Sequence, residues 1–234
     1  MSQPQQIAPD IYRVDAVGLP FQISTLLLRD AERWVLVDTG LSISPERVRR
    51  ALVSLGSGPE SLRAVFITHH HIDHVGGLDG IRRLAPSAEI WTSGHEAGIV
   101  SGEETPDDPS NPLARRAFKL YRLPTAPVDR IIREGVLVGG MRVISTPGHT
   151  LGHASLIDDR SGTLFTADAF GRLAGLRVGG VKSFCTDPPL ALRSARKLLE
   201  EDFQNVYFTH GKPLLDENGD PKTRLRSAVA NCDY

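Results

Sequence analysis

Thr68-His69-His70-His71-Ile72-Asp73-His74-Val75-Gly76-Gly77 concentrates potential metal ligands as no other stretch of the chain does. His69, His71, Asp73 and His74 place four such groups within six residues. Imidazole and carboxylate are the natural ligands of zinc and similar divalent ions. Residues i and i+2 point the same way only in extended backbone, so the spacing predicts His69 and His71 at a strand end or loop. Asp73 and His74 then turn toward a second position, and His70 points away because its neighbours point inward. Gly76-Gly77 accommodates close packing or an unusual backbone angle. A solvated histidine tract is the plain alternative, and the clustering of four ligands argues against it.

Working outward, the same arrangement recurs. Val65-Phe66-Ile67-Thr68 leads into His69, and Arg142-Val143-Ile144-Ser145-Thr146 leads through Pro147-Gly148 into His149. Leu164-Phe165-Thr166-Ala167 leads into Asp168, and Val206-Tyr207-Phe208-Thr209 into His210. Each apolar strand delivers a potential ligand at its carboxyl end, the edge at which open α/β sheets place their sites. His69, His71, Asp73, His74, His149, Asp168 and His210 are too many for one tetrahedral zinc. They suit two ions sharing a bridging carboxylate and a bridging water.

Strand-like runs at Ile11–Val14, Ile23–Leu28 and Trp34–Val37 open the chain. Ser44-Pro45-Glu46 predicts a capped helix reaching about Leu55. Val65–Ile67, a helix near Leu78–Leu84 and Glu89–Trp91 follow, an alternation that argues for a layered α/β fold. The pattern breaks from about Gly94 to Asp129, expected as an insertion or cap with a short amphipathic segment around Leu113–Leu123. Runs at Ile131–Ile132, Arg142–Ile144, Ala154–Ile157, Leu164–Thr166 and Val206–Phe208 are further strands, and Pro189–Glu201 and Lys222–Ala230 further helices. One domain over residues 1–234, built of two similar halves, is the expected organisation.

Composition fits a globular protein, with 40% hydrophobic and 24% charged residues over 234 positions. A formal net charge of −1 and no basic stripe argue against nucleic acid or an anionic membrane as partner. No basic-then-apolar leader and no membrane-length apolar run is visible. Two cysteines without a CxxC partner point to a reducing cytoplasm. A small-molecule substrate and a homodimer complete the expectation.

The segments Thr68 to Gly77, Thr146-Pro147-Gly148-His149-Thr150-Leu151-Gly152-His153, Phe165-Thr166-Ala167-Asp168 and Thr209-His210-Gly211 together resemble the metallo-β-lactamase-fold hydrolases. The resemblance implies a four-layer αβ/βα sandwich of two pseudo-symmetric halves. It implies that His69, His71 and His149 hold one metal, that Asp73, His74 and His210 hold the other, and that Asp168 bridges them. Asp38, in Val35-Leu36-Val37-Asp38-Thr39-Gly40, matches a position in that family that orients a metal-binding histidine. His153 is expected to pack or hydrogen-bond beside the site, and His95 to be structural or exposed.

Two zinc ions, with iron or manganese as alternatives, would lower the pKa of a shared water and supply hydroxide at pH 7. No Gly-x-Ser-x-Gly elbow suggests a protein nucleophile, and Asp73 could pass a proton to the leaving group. Phe21, Phe118, Tyr121, Phe170 and Phe184 are the expected pocket walls, suited to an uncharged or partly apolar substrate. Within the family, Asp168 stands where class B1 β-lactamases carry cysteine. The 24 residues after His210 are too few for the helical domain of glyoxalase II enzymes. Gly152-His153-Ala154-Ser155-Leu156 looks closer to the lactonases, although Phe170 and Gly171 occupy the region of their catalytic tyrosine. The expectation is a dinuclear hydrolase of a small ester, lactone or thioester. A mononuclear iron persulfide-dioxygenase-like enzyme using His69, His149 and Asp168, or an idle metal-binding scaffold, are the alternatives.

Overall fold

Leu26, Leu27 and Leu28 are all fully buried, which a sheet with one wet face would not allow. The computed structural model explains this with layers on both sides. It describes residues 3–18, 22–120, 122–173 and 175–233; Phe21 and Tyr121 lie outside them.

The first half runs β1 (Gln5–Ala8), β2 (Ile11–Val17), β3 (Ile23–Asp30), β4 (Arg33–Val37), α1 (Pro45–Ser54) and β5 (Leu62–Ile67). It continues with α2 (Ile72–Val75), α3 (Leu78–Leu84), β6 (Glu89–Thr92), α4 (Gly94–Ser101), α5 (Pro112–Phe118) and β7 (Arg130–Ile131). The second half comprises β8 (Leu137–Val138), β9 (Met141–Ser145), β10 (Ala154–Asp158), β11 (Thr163–Phe165), β12 (Phe170–Gly171) and β13 (Arg177–Val178). It ends with α6 (Pro188–Leu198), β14 (Asn205–Tyr207) and α7 (Pro221–Ala230). Among the described residues one sheet is ordered β1-β2-β3-β4-β5-β6-β7 and the other β14-β11-β10-β9-β8, with β12-β13 as a small ribbon.

Strand alternation sorts the core into three interfaces. Leu26, Leu28, Val35, Val37 and Phe66 face Val143, Leu156 and Phe165 between the two sheets. Leu27, Trp34, Leu36 and Val65 turn the other way, onto Val48 and Leu52 of α1, Ile81 of α3 and Val100 of α4. Ile144, Ile157 and Leu164 pack outward onto Ala195 and Leu198 of α6 and Leu225 of α7. The result is a helix–sheet–sheet–helix sandwich, the expected fold class. Among the described residues no helix is long and apolar enough to cross a membrane.

Three local expectations need correction. Ser44 precedes α1 but makes no side-chain cap; its hydroxyl donates to Ala16 O and accepts from Leu41 N, tying the helix start to β2. The segment 94–129 is not all cap, because α4 packs Ile99 and Val100 into the core. The amphipathic segment is shorter than expected, and its Leu113 and Leu120 are exposed.

Candidate metal centre

Every expected ligand leaves the carboxyl end of a strand or the loop just beyond it. His69 and His71 follow β5, His71 in extended backbone, and α2 turns Asp73 and His74 toward a second point. Gly76 and Gly77 carry ordinary φ angles; what they permit is close approach. A Cβ on Gly76 would strike Ile72 O, and one on Gly77 would strike Thr39 O. In the other half, β9 leads to His149, β11 to Asp168 and β14 to His210. Thr68 O accepts from Ala154 N at 3.2 Å, drawing the two sheet edges together.

Two groups of side chains result. One ligand atom from each of His69, His71 and His149 lies within 4.8 Å of the others, and the same holds for Asp73, His74, Asp168 and His210. Asp168 touches both groups: Oδ2 is 3.4 Å from His149 Nε2 and 3.5 Å from His210 Nε2, and Oδ1 is 3.7 Å from His74 Nε2. Ala167 stands in the left-handed region at φ 45°, so the turn that presents Asp168 is strained.

Hydrogen bonds fix which imidazole nitrogen faces inward. Asp38, itself at φ 60°, accepts from Thr68 N, Thr68 Oγ1 and His74 Nδ1, each at 2.8 Å. Since the Thr68 hydroxyl proton goes to Asp38, its oxygen accepts from His69 Nδ1 at 3.1 Å. His149 Nδ1 donates to Gly179 O at 3.0 Å. The inner nitrogens of His69, His71, His74 and His149 are left buried without a protein partner, as is Asp168 Oδ1. Buried polar atoms are normally satisfied. A convergent set of unsatisfied imidazole nitrogens beside carboxylates is the donor set a divalent ion completes, so these residues fit two such ions.

Electrostatics divides the groups. Burial, together with the neighbouring imidazoles, pushes His69 and His71 well below the ordinary histidine range. Burial also lowers His149. For His74 burial is outweighed by Asp38, Asp73 and Asp168, which push it up to about 10. His210 is pushed up to about 9 because Asp168 and Asp73 outweigh its burial. Burial raises Asp73, but His74 and His210 together hold it well below the usual carboxylate range. Asp73 and His210 already pair at 2.8 Å.

His153 is not free to ligate. Asp168 N donates to its Nε2 at 3.1 Å, so Nδ1 carries the proton and donates to Thr146 Oγ1 at 2.8 Å. Thr146 then donates to Ser155 Oγ, which donates to Thr166 O, a directed chain that pins the tautomer. His70 turns away to Glu96, and the partly exposed His95 pairs with Asp107. The Cys185 thiol donates to Gly148 O at 3.2 Å, and burial pushes it up to about 12, so it offers no thiolate.

Of the expected walls, Phe118 lies edge-on to His71 with centroids 5.1 Å apart, and Phe184 stands 5.4 Å from Phe118. Phe170 is a correction: it is fully buried among Ile144, Phe208 and Leu214, where β12 packs on the outer core, and it offers substrate no surface. Thr68, Thr39, Thr150, Gly179 and Glu96 support the site and were not anticipated from sequence. Thr39 donates to His74 O at 2.8 Å. Of these, only Thr68 carries a sequence signal, as the last residue before His69.

Comparison with known proteins bears on the same residues. The Metallo-beta-lactamase superfamily profile matches residues 18–210. Uncharacterized protein YobT of Bacillus subtilis (strain 168) is 29% identical over 219 residues, which cover 89% of this chain and 90% of YobT. A hydroxyacylglutathione hydrolase of Chelativorans sp. (strain BNC1) is 31% identical over 189 residues, 78% of this chain and 60% of that enzyme. In structure, a metallo-beta-lactamase family protein from Thermus thermophilus superposes with a TM-score of 0.69 at 24% identity. That match covers 96% of this chain and 80% of the other and speaks for the fold.

Proposed function

This chain belongs to the metallo-β-lactamase superfamily, and from that premise we propose that it is a dinuclear metal-dependent hydrolase of a small ester, lactone or thioester. The observation that carries the reading is the set of buried, unpartnered imidazole nitrogens around Asp168. His69, His71 and His149 would hold one ion, Asp73, His74 and His210 the other, and Asp168 both. Bound there, divalent ions lower the pKa of a shared water toward neutrality and polarise the scissile carbonyl.

The chain's own residues prepare that chemistry. Asp38 and Gly179 O hold the outer nitrogens of His74 and His149, so the inner nitrogens need no reorientation. His153 grips the backbone of Asp168 and keeps its carboxylate between the groups. Asp73 is the most exposed member of the second group, its side chain 23% accessible, and so faces arriving substrate. Its carboxylate, held ionised by His74 and His210, is placed to take up the proton that the attacking water loses and then to pass it to the leaving group. Phe118 and Phe184 would exclude water and receive an apolar acyl or ring portion. Likeness to an enzyme named for hydroxyacylglutathione supports including thioesters.

The test is elemental analysis followed by an ester, lactone and thioester panel. The expected result is about two divalent ions per chain and turnover that disappears in His71→Ala. A single iron per chain, with oxygen consumed on glutathione persulfide, would overturn the proposal.

A further inference from the structure

Glu96 belongs to neither ligand group, yet it is fully buried in the first turn of α4. A buried carboxylate is tolerated only when its oxygens find donors. Both do: Oε2 lies 2.7 Å from His70 Nδ1, and Oε1 accepts from Thr150 Oγ1 at 2.6 Å. His70 sits between His69 and His71, and Thr150 directly follows His149. One carboxylate therefore joins the two loops that supply the whole first ligand group, one loop from each sheet.

The same helix start makes a second grip. Ser93 Oγ donates to Gly152 O at 2.7 Å while accepting from Glu96 N. Gly152 has no room for a side chain: a Cβ would come 2.7 Å from Ser93 Oγ and Glu96 Cγ and 2.9 Å from Glu96 Oε1. His70, Glu96 and Asp107 also approach one another within 4.8 Å. They are not read as a third cation site, because both carboxylates are engaged, Glu96 by His70 Nδ1 and Thr150, Asp107 by Leu151 N at 2.8 Å and His95 at 2.9 Å, and His70 Nε2 alone lacks a hydrogen-bond partner. The cluster is a hydrogen-bonded clasp.

We propose that Glu96 is a positioning residue for the first ligand group. By tying His70 to Thr150 it sets the separation between the His69–His71 loop and His149 before any ion arrives. The inference rests on the two-ion reading above. Its action is selective, since the second group is anchored elsewhere, by Asp38 at His74 and by His153 at Asp168.

The test loads the full chain with zinc and follows zinc content and release to a chromogenic chelator. Wild-type protein should hold about two ions. Glu96→Ala should release one of them about tenfold or more faster, the scale on which outer partners of ligands act, and leave the other unchanged. Thr150→Val, which keeps the packing and removes one leg of the clasp, should fall between. Glu96→Gln still accepts from Thr150 and offers an amide N–H to His70, so it should release at close to the wild-type rate. In a His71→Ala background, where the first group is already broken, adding Glu96→Ala should change nothing further.

Wild-type release of both ions in Glu96→Ala would overturn the inference. So would equal acceleration of both, or a further loss on top of His71→Ala, because either marks a general structural role. Wild-type protein that binds fewer than two ions would instead defeat the two-ion reading. Should Glu96→Ala fail to fold, Thr150→Val decides: wild-type release from that variant overturns the clasp.

Discussion

His74 and His210 carry protons at neutral pH in the metal-free chain, raised to about 10 and about 9, whereas His69, His71 and His149 are pushed below the ordinary range. Only a neutral imidazole binds a cation, so filling the second group must expel protons and filling the first must not. Asp73 is already ionised and adds none. The sign follows: affinity of the second ion rises with pH and levels off as pH passes about 9 and then about 10. At pH 7, calorimetry in buffers of different ionisation enthalpy should report more protons released with the ion of the second group than with the other, about two of them from His74 and His210, beyond any proton given up by the shared water. Equal release with both ions would contradict the division. The ligands themselves are legible in the sequence because His69, His149, Asp168 and His210 each follow an apolar strand and His71, Asp73 and His74 cluster with the first of them. Their supports are not: Glu96 meets Thr150 54 residues away, a pairing decided by which loops the two sheets bring together. Phe170 shows the same limit from the other side. An aromatic residue just after a ligand has one sequence signature whether it lines a pocket or, as here, fills the core.

Among the elements, strands were the easiest to foresee, since burial on both faces writes them as continuous apolar runs. α4 reads in sequence as part of an irregular insertion because Gly94 and Gly98 dilute its helical signal. Strands of two residues such as β8, β12 and β13 leave no periodicity to detect. The loop from β9 to His149 depends on contact with α6. Gly148 sits at φ 132°, and a Cβ there would collide with the backbone N and Cα of Ala191. Overpacking adds to an unfavourable backbone angle, so Gly148→Ala should cost about 3 kcal/mol or more. Denaturant midpoints would measure it. A loss below about 0.5 kcal/mol, the range of ordinary surface changes, would mean that the loop and α6 separate more easily than their packing suggests.

At the scale of the molecule, the site lies on the seam between the two halves, with His69, His71, Asp73 and His74 from one and His149, Asp168 and His210 from the other. An ion held across that seam binds the folded chain and not the unfolded one. Each site at 100 times its dissociation constant would then contribute about 2.7 kcal/mol. Chelation should lower the thermal midpoint by several degrees, and added zinc should restore it. An unchanged midpoint would mean that the sheets hold together without help from the site. The strained turn at Ala167 adds to this, because it stores a cost inside the very region the proposed ions would fasten. Outside the test tube the consequence is one of supply. A cell short of metal would lose the protein as well as its activity, since the unfilled form opens more often and is cleared by proteases. Abundance of this chain would thus track the metal content of its surroundings.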